Sequence, residues 1–311
     1  YKDTLENILD HQPLVSIIIP CYNAGAFINE SVSSVLRQTY KNHEIIIVND
    51  GSTDTETIKI LHTLNLPKTK VYHTQNGGPS AARNYAIERS SGKYILPLDA
   101  DDKIGSTYLE KAVSILESHP NIGIVYCRAE FFGKKTGEWI LPPYSKETIL
   151  LENMIFATAF YRRTHWQKVG GYNTNMIYGM EDYDFWLSLI DSEDCDVYKI
   201  DEILFSYRIK DVSRSLLLGV DNRNVLMFTQ LFYNHTNLFL KNNNMKILIE
   251  NRLNILQEIK LLRKIFLPIT KGRGFINKYL TDSLLSIYQA VVKNIFRIRN
   301  LSRKMIIYFR G

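Results

Sequence analysis

The sequence predicts an α/β protein whose first half folds around a mostly parallel central sheet. Short β-branched apolar runs, which suit strands buried on both faces, alternate with segments of helical spacing. The connections between them are short, which favours right-handed crossovers between parallel strands. The last third of the chain changes to long amphipathic segments and predicts a mainly α-helical extension.

The first hundred residues are assigned to four strands and three helices. The strands are runs of Val, Ile, Leu and Tyr, expected at 15–20, 44–48, 70–73 and 93–98. The helices show apolar residues at helical spacing or a capping residue, and are expected at 27–37, from Thr53 or Asp54 to about Leu64, and over 80–90.

The next hundred residues mix both element types with longer loops. We expect helices at 106–118 and 181–190, a hairpin around 133–137, and strands at 122–127, 155–161, 197–200 and 203–207. Beyond about 220, apolar residues at helical spacing continue to the end, with a break at Pro268 and Gly272–Gly274.

The composition excludes several classes of protein. With 311 residues, 45% of them hydrophobic and 12% aromatic, the chain can bury a full core and is not mainly disordered. Three widely spaced cysteines do not form a disulfide framework. No apolar run is long enough to span a bilayer, and the charged N-terminus does not resemble a signal peptide. We therefore expect a cytoplasmic protein.

Charge divides the chain into two regions. Residues 1–213 hold 21 Lys and Arg against 28 Asp and Glu, a net of −7, whereas residues 214–311 hold 17 against 4, a net of +13. This asymmetry predicts a domain at 1–215 and a basic helical region at 216–311. The basic region either docks on the first domain or forms homo-oligomers, or else it binds the inner face of the cell membrane peripherally. No nucleic-acid motif is present, so nucleic acid is not an expected partner.

Polar residues follow three of the predicted strands and predict a binding site. Strand one ends at Pro20-Cys-Tyr-Asn23, strand two at Asn49-Asp-Gly-Ser52 and strand four at Asp99-Ala-Asp101. Ligands of open parallel sheets bind outside these carboxyl ends. Two carboxylates at Asp99 and Asp101 favour a hard cation such as Mg²⁺ or Mn²⁺, although an acidic turn before a helix gives the same pattern.

Five segments then stand in a recognisable order: VSIIIPCYN (15–23), IIVNDGSTD (46–54), GPSAARN (78–84), LDADD (98–102) and GMEDYDFW (179–186). Together they closely resemble the motifs of the bacterial family 2 glycosyltransferases, over residues 14–210. The resemblance implies a GT-A fold, with a Rossmann-like nucleotide-binding half at 1–103 and an acceptor-binding half at 104–215. It also implies inverting transfer from a nucleotide sugar, usually UDP-linked, assisted by Mn²⁺ or Mg²⁺.

The resemblance assigns roles to individual positions. Those implied for binding the donor nucleotide or sugar are Pro20, Tyr22, Asn23, Asp50, Gly78, Arg83, Asp99 and Ala100. Asp101 is the implied metal ligand. Asp182 is the implied general base, and Glu181 helps to orient the acceptor. Without the resemblance, Glu181-Asp182 would be interpreted as acids that favour a helix N-terminus, and Asp50 as part of an Asx-turn.

Two positions keep alternative interpretations. Lys210 stands near the place where many relatives carry a metal-binding histidine, and it either meets the donor diphosphate or is a solvated loop charge. Trp186 either packs in the core, the favoured interpretation, or contacts the acceptor.

The resulting hypothesis is a UDP-sugar-dependent hexosyltransferase acting on a hydroxyl of a glycan, glycopeptide or lipid-linked acceptor. The alternative is a catalytically weak nucleotide-sugar-binding subunit that assembles through the basic tail. The sequence identifies neither the sugar nor the acceptor.

Overall fold

The computed structural model describes residues 12–192, 195–211 and 223–241. The chain divides into two compact units. The larger comprises 1–141 and 155–234, and the smaller comprises 142–154 and 235–311. The predicted domain boundary near 215 lies outside the described residues and stays a prediction.

The described part of the larger unit contains a single mixed sheet of nine strands. The strands are β1 (Val15–Cys21), β2 (His43–Asp50), β3 (Thr69–Thr74), β4 (Tyr94–Pro97), β5 (Lys103–Ile104), β6 (Ile122–Gly133), β7 (Gly137–Trp139), β8 (Phe160–Arg162) and β9 (Asp196–Ile209). Their spatial order is β3-β2-β1-β4-β8-β6-β9-β5, with β7 paired to β6.

The first four strands pair in parallel, as the sequence predicts. β1 pairs with β2 and β4, and β2 pairs with β3, all in parallel. The apolar runs of β1 and β2 are fully buried, as strands covered on both faces require: Ile17, Ile18, Ile19, Ile45, Ile46 and Ile47. β8 joins antiparallel to both β4 and β6, and β6 pairs in parallel with β9. The predicted α/β class with a mostly parallel sheet is confirmed.

Helices follow the strands of the larger unit. They are α1 (Gly25–Leu36), α2 (Thr55–Thr63), α3 (Gly78–Glu88), α4 (Tyr108–Ser118), α5 (Arg163–Val169), α6 (Glu181–Ile190) and α7 (Arg223–Asn234). Asp54 caps α2, since its carboxylate accepts a hydrogen bond from the Thr57 amide at 2.8 Å. Pro79 lies in the first turn of α3, where its missing N–H costs nothing.

Two strand predictions are wrong in detail. Residues 155–161 were expected as one strand, but only Phe160–Arg162 pairs in the sheet, because a buried apolar run does not by itself distinguish a strand from irregular chain. The two short strands expected at 197–200 and 203–207 are one strand, β9. The polar residues between them form a bulge, where pairing jumps from Cys127–Ile200 to Arg128–Ile203.

The smaller unit contains two short described elements, a 3₁₀ turn at Thr148–Leu150 and helix α8 (Thr236–Leu240). Ser145 and Thr148 exchange side-chain-to-backbone hydrogen bonds of 2.8 and 3.0 Å before the turn. Among the described residues, no helix combines the length and apolar character that crossing a bilayer requires. The three cysteines are buried free thiols.

Candidate active site

The polar ends of three parallel strands meet at one edge of the sheet. In the register of β1 with β2, Cys21 lies opposite Asn49, and in that of β1 with β4, Ile18 lies opposite Pro97. The residues that follow each strand therefore emerge side by side. This edge is where the sequence predicts a binding site.

The loop after β1 is braced by Asn23. The Asn23 side-chain oxygen accepts hydrogen bonds from the backbone amides of Thr53 and Asp54 at 2.8 and 2.9 Å, and its backbone has a positive φ of 50°. Asn23 thus ties the first strand end to the second. The side chain of Tyr22 is 49% exposed, whereas Pro20 is partly buried. Tyr22, like Asn23, therefore has exposed surface that a ligand could contact.

Asp50 anchors the loop that begins α3. Its two carboxylate oxygens accept hydrogen bonds from the amides of Gly77 and Gly78 at 2.8 and 3.0 Å, and only 4% of the residue is exposed. Gly51 lets the chain turn here, because its φ is +63° and a Cβ would lie 2.5 Å from the Asn76 nitrogen. The local turn bond is made by Asn49 rather than Asp50: the Asn49 side-chain oxygen accepts from the Ser52 backbone N–H at 3.0 Å. The nucleotide contact implied for Asp50 stays a prediction.

Arg83 joins two distant parts of the site through a buried ion bridge. One guanidinium nitrogen lies 2.8 Å from Asp99 Oδ1 and the other lies 2.9 Å from Glu181 Oε1. Arg83 is only 2% exposed, and its guanidinium lies 5.6 Å from the ring centroid of Tyr172. The pKa of Arg83 is raised, since the attraction of Asp99 and Glu181 outweighs the opposing effect of burial.

Asn84, which sequence reasoning missed, supports the Tyr172 loop. Its oxygen accepts from Tyr172 N at 2.8 Å and from Trp166 Nε1 at 3.1 Å, and its amide group donates to Tyr172 O at 2.8 Å. The neighbouring Gly171 has a φ of +86°. The signal was present in the segment GPSAARN, in which the Asn follows the Arg directly.

The acidic segment 99–102 forms a tight turn. The Asp102 amide donates to Asp99 O at 3.0 Å, and Ala100 is only 3% exposed, so the donor contact implied for Ala100 stays a prediction. Burial raises the pKa of Asp99, reinforced by Asp101 and opposed by Arg83. Burial and the two neighbouring carboxylates raise the pKa of Asp102 well above its usual value.

The end of β9 delivers two cations to this turn. Arg208, which sequence reasoning missed, donates from its backbone nitrogen to Asp102 Oδ1 and from Nε to Asp101 O, both at 2.8 Å. Its guanidinium also pairs with Glu30. Lys210 Nζ lies 2.5 Å from Asp101 Oδ2. Lys210 is thus paired with Asp101, and the contact with the donor diphosphate suggested for it stays a prediction.

Glu181 and Asp182 open helix α6. Met180 before them has a positive φ of 64°, a backbone strain that such sites often hold. Glu181 is buried and forms its ion pair with Arg83. Asp182 is half-buried, and its Oδ1 accepts a hydrogen bond from the Tyr183 amide at 2.8 Å. Burial and the Glu181 carboxylate raise the pKa of Asp182 to about 7.

The acceptor contact suggested for Trp186 is wrong in this structure. The ring is fully buried, packs against Tyr161 and Phe185, and donates from Nε1 to Ile155 O at 3.0 Å. A side chain without exposed surface does not contact a substrate. Trp186 instead belongs to the core behind α6, the interpretation that the sequence favoured.

The residues of the acidic turn fit a divalent ion that binds together with its ligand. Mg²⁺ and Mn²⁺ are commonly held by one or two carboxylates and completed by substrate phosphates. Among the described residues, no three His, Cys, Asp or Glu side chains converge as metal ligands. Asp101 is the candidate ligand, with phosphate oxygens to complete the coordination, and Lys210 must leave Asp101 to admit the ion.

Comparison with known proteins decides the family. The family described as "Glycosyl transferase family 2" matches residues 16–185, more than half of the chain. The chain belongs to glycosyltransferase family 2. An uncharacterized glycosyltransferase of Rickettsia typhi is 36% identical over 214 residues, which cover 65% of each chain. One from Haemophilus influenzae is 42% identical over 113 residues, covering 35% of this chain and 45% of its own. This chain thus spans about 65% of the length of the Rickettsia relative.

Solved structures confirm the GT-A fold. S. aureus TarS 1–349 in complex with UDP-GlcNAc has a TM-score of 0.62 at 19% identity, over 93% of this chain and 87% of that chain. The mannosyltransferase PcManGT from Pyrobaculum calidifontis, in complex with GDP-Man and Mn²⁺, has a TM-score of 0.53 at 17% identity, over 93% and 89%. At these identities the likeness shows the fold alone.

Removing the Arg83 charge should destabilise the glycosyltransferase strongly. Arg83→Met leaves Asp99 and Glu181 without their cation in a largely buried place, and we expect the free energy of unfolding to fall by about 3 kcal/mol or more. Urea denaturation followed by circular dichroism measures this. The control is Arg37→Met at an exposed position, expected within about 0.5 kcal/mol of the unmodified protein. A similarly small change for Arg83→Met would contradict the assigned role.

Proposed function

We propose that this glycosyltransferase moves a hexose from a UDP-sugar to a hydroxyl acceptor with inversion, and that Asp182 is the general base. The observation that carries the proposal is the Arg83 bridge, because it ties Asp99 of the donor-side turn to Glu181 beside Asp182. The bridge thereby holds the donor-side turn close to the start of α6, which carries the proposed base.

The nucleophilic side of the reaction falls to Asp182. Its carboxylate takes the proton of the acceptor hydroxyl while that oxygen bonds to the anomeric carbon and the bond to the UDP oxygen breaks. A base with a pKa of about 7 is well matched to this task at neutral pH. Glu181, held by Arg83, fixes the start of α6 and so the position of Asp182.

The leaving-group side falls to the end of β9 and the acidic turn. The departing UDP gains negative charge. Lys210 lies at the acidic turn, so its ammonium group would stabilise that charge. Asp101 would hold Mn²⁺ or Mg²⁺, and the bound ion would neutralise charge on the diphosphate. The Mn²⁺ in the PcManGT complex supports this assignment.

The nucleotide side falls to the ends of β1 and β2. We assign Tyr22 to the face of the base, and Asp50, held in place by the Gly77 and Gly78 amides, to the uracil and ribose. The choice of UDP rests on the family resemblance and on the complex of TarS with UDP-GlcNAc. PcManGT is in complex with GDP-Man, so a donor test must include GDP-sugars.

Acceptor, location and assembly complete the proposal. A glycan, glycopeptide or lipid-linked acceptor, a cytoplasmic location, and membrane or homo-oligomer contact through 216–311 are the expectations. Most of that basic region lies outside the described residues. The division at 215 belongs to the same proposal.

A donor panel with a base variant tests the reaction. Purified protein with UDP- and GDP-sugars, Mn²⁺ and a mixture of glycan acceptors should release UDP from one donor. Asp182→Asn should lower the rate by about 10²–10⁴-fold while UDP binding changes less than twofold, because only the proton acceptor is lost. The control is Asp191→Asn at the other end of α6, about 14 Å along the helix. UDP binding without turnover of any donor would instead favour the nucleotide-sugar-binding subunit.

The pH profile tests the same base independently. Only the ionised form of Asp182 accepts a proton, so kcat/KM should fall about tenfold per pH unit below about 7 and level off above it. Burial also raises the pKa of Glu152 to about 7, which makes Glu152→Gln the matched control. The fall of kcat/KM at low pH should persist in Glu152→Gln and vanish in Asp182→Asn. Loss of this pH dependence in Glu152→Gln would contradict the assignment of Asp182 as the general base.

A further inference from the structure

The ion pair of Lys210 and Asp101 is partly buried. Lys210 Nζ lies 2.5 Å from Asp101 Oδ2, and the two side chains are 30% and 18% exposed. Lys210 also lies 5.4 Å from the ring centroid of Phe27, which limits how far its ammonium group is hydrated. A pair in such a place is screened less than one at an open surface.

The backbone next to Lys210 is fixed to the acidic turn. Arg208, two residues earlier, bonds through its backbone nitrogen to Asp102 and through Nε to Asp101 O. Its guanidinium lies 4.2 Å from the ring centroid of Phe132 and 4.7 Å from that of Phe27. The backbone of Lys210 is thus held beside Asp101. Rotation about the side-chain bonds of Lys210 can still move its ammonium group.

The two carboxylates that a cation would use already have protein cations. Asp99 is paired with Arg83, and Asp101 with Lys210. Each of these carboxylates already has a cation in contact, although Arg83 is shared with Glu181, so a divalent ion gains less here than it would from two unpaired carboxylates. Lys210 is the more movable of the two cations, since Arg83 is only 2% exposed.

We propose that Lys210 is a built-in counter-ion that competes with a divalent cation for Asp101. It lowers the affinity of the turn for a metal ion, and it lets the protein bind a nucleoside diphosphate without metal, because the ammonium group transfers from Asp101 to the diphosphate. This inference rests on the proposed function for the identity of the ligand. The competition between lysine and metal at Asp101 is independent of it.

The first experiment measures metal binding without nucleotide. Mn²⁺ is titrated into the full chain, and the free ion is followed by electron paramagnetic resonance. We expect Lys210→Met to bind Mn²⁺ at least tenfold more tightly than the unmodified protein, and the gain to vanish when Asp101→Asn is added. Lys103→Met is the matched control: it removes the same charge near the same turn, from a lysine paired with Glu30 at 2.9 Å, and should change Mn²⁺ affinity less than threefold.

The second experiment measures UDP binding by calorimetry in EDTA and in Mn²⁺. In EDTA, Lys210→Met should bind UDP at least tenfold more weakly than the unmodified protein. In Mn²⁺ the difference should shrink to less than threefold, since the ion then occupies Asp101. Lys103→Met should follow the unmodified protein in both buffers, and circular dichroism checks that all variants are folded.

Two results would overturn the inference: equal Mn²⁺ affinity in Lys210→Met and the unmodified protein, or UDP binding in EDTA that Lys210→Met leaves unchanged. If no variant binds UDP in either buffer, the proposed donor is wrong, and the Mn²⁺ titration alone decides the role of Lys210.

Discussion

The buried guanidinium of Arg83 is the interaction on which the arrangement of this site depends. Glu181 is almost fully buried and Asp99 partly so, and carboxylates brought together in low dielectric repel each other unless a cation lies between them. Arg83 satisfies both with one planar group, which a lysine, with a single point charge, would not do in the same geometry. It also joins segments 16 and 98 residues away in sequence. The donor-side turn and the start of α6 are therefore fixed relative to each other.

The sheet provides the frame for this bridge. Parallel pairing of β1, β2 and β4 brings three strand ends to one edge, and the long strand β9 adds Arg208 and Lys210 from its own end. Residues with positive φ stand at both sides of the site, Asn23 after β1 and Met180 before α6. Such backbone persists where the surroundings over-determine it. The surrounding hydrogen bonds of Asn23 meet that condition.

Much of this arrangement could be predicted from the sequence. The strand ends follow from apolar runs that stop at polar residues, and α6 begins at Glu181 and ends at Ile190 as predicted, because its apolar spacing and acidic first turn agree. The family, and with it the fold, follows from five ordered segments. These features are local, so single segments carry the information.

The remainder depends on contacts between distant residues. Neither the burial of Arg83 nor its pairing with Glu181 is visible in the pattern around residue 83, since the partner lies on another element. The Lys210–Asp101 pair is non-local for the same reason. Trp186 illustrates the same limit, because an aromatic residue that closely follows Glu181-Asp182 has the same sequence signal whether it faces the core or a ligand.

A double-mutant cycle between Arg83 and Glu181 tests the central claim most directly. The unfolding free energies of Arg83→Met, Glu181→Gln and the double variant are compared with that of the unmodified protein. If the ion bridge holds the site together, the two substitutions are non-additive, with a coupling energy of about 2 kcal/mol or more. Additivity within about 0.5 kcal/mol would show that the two residues do not depend on each other and would contradict this account.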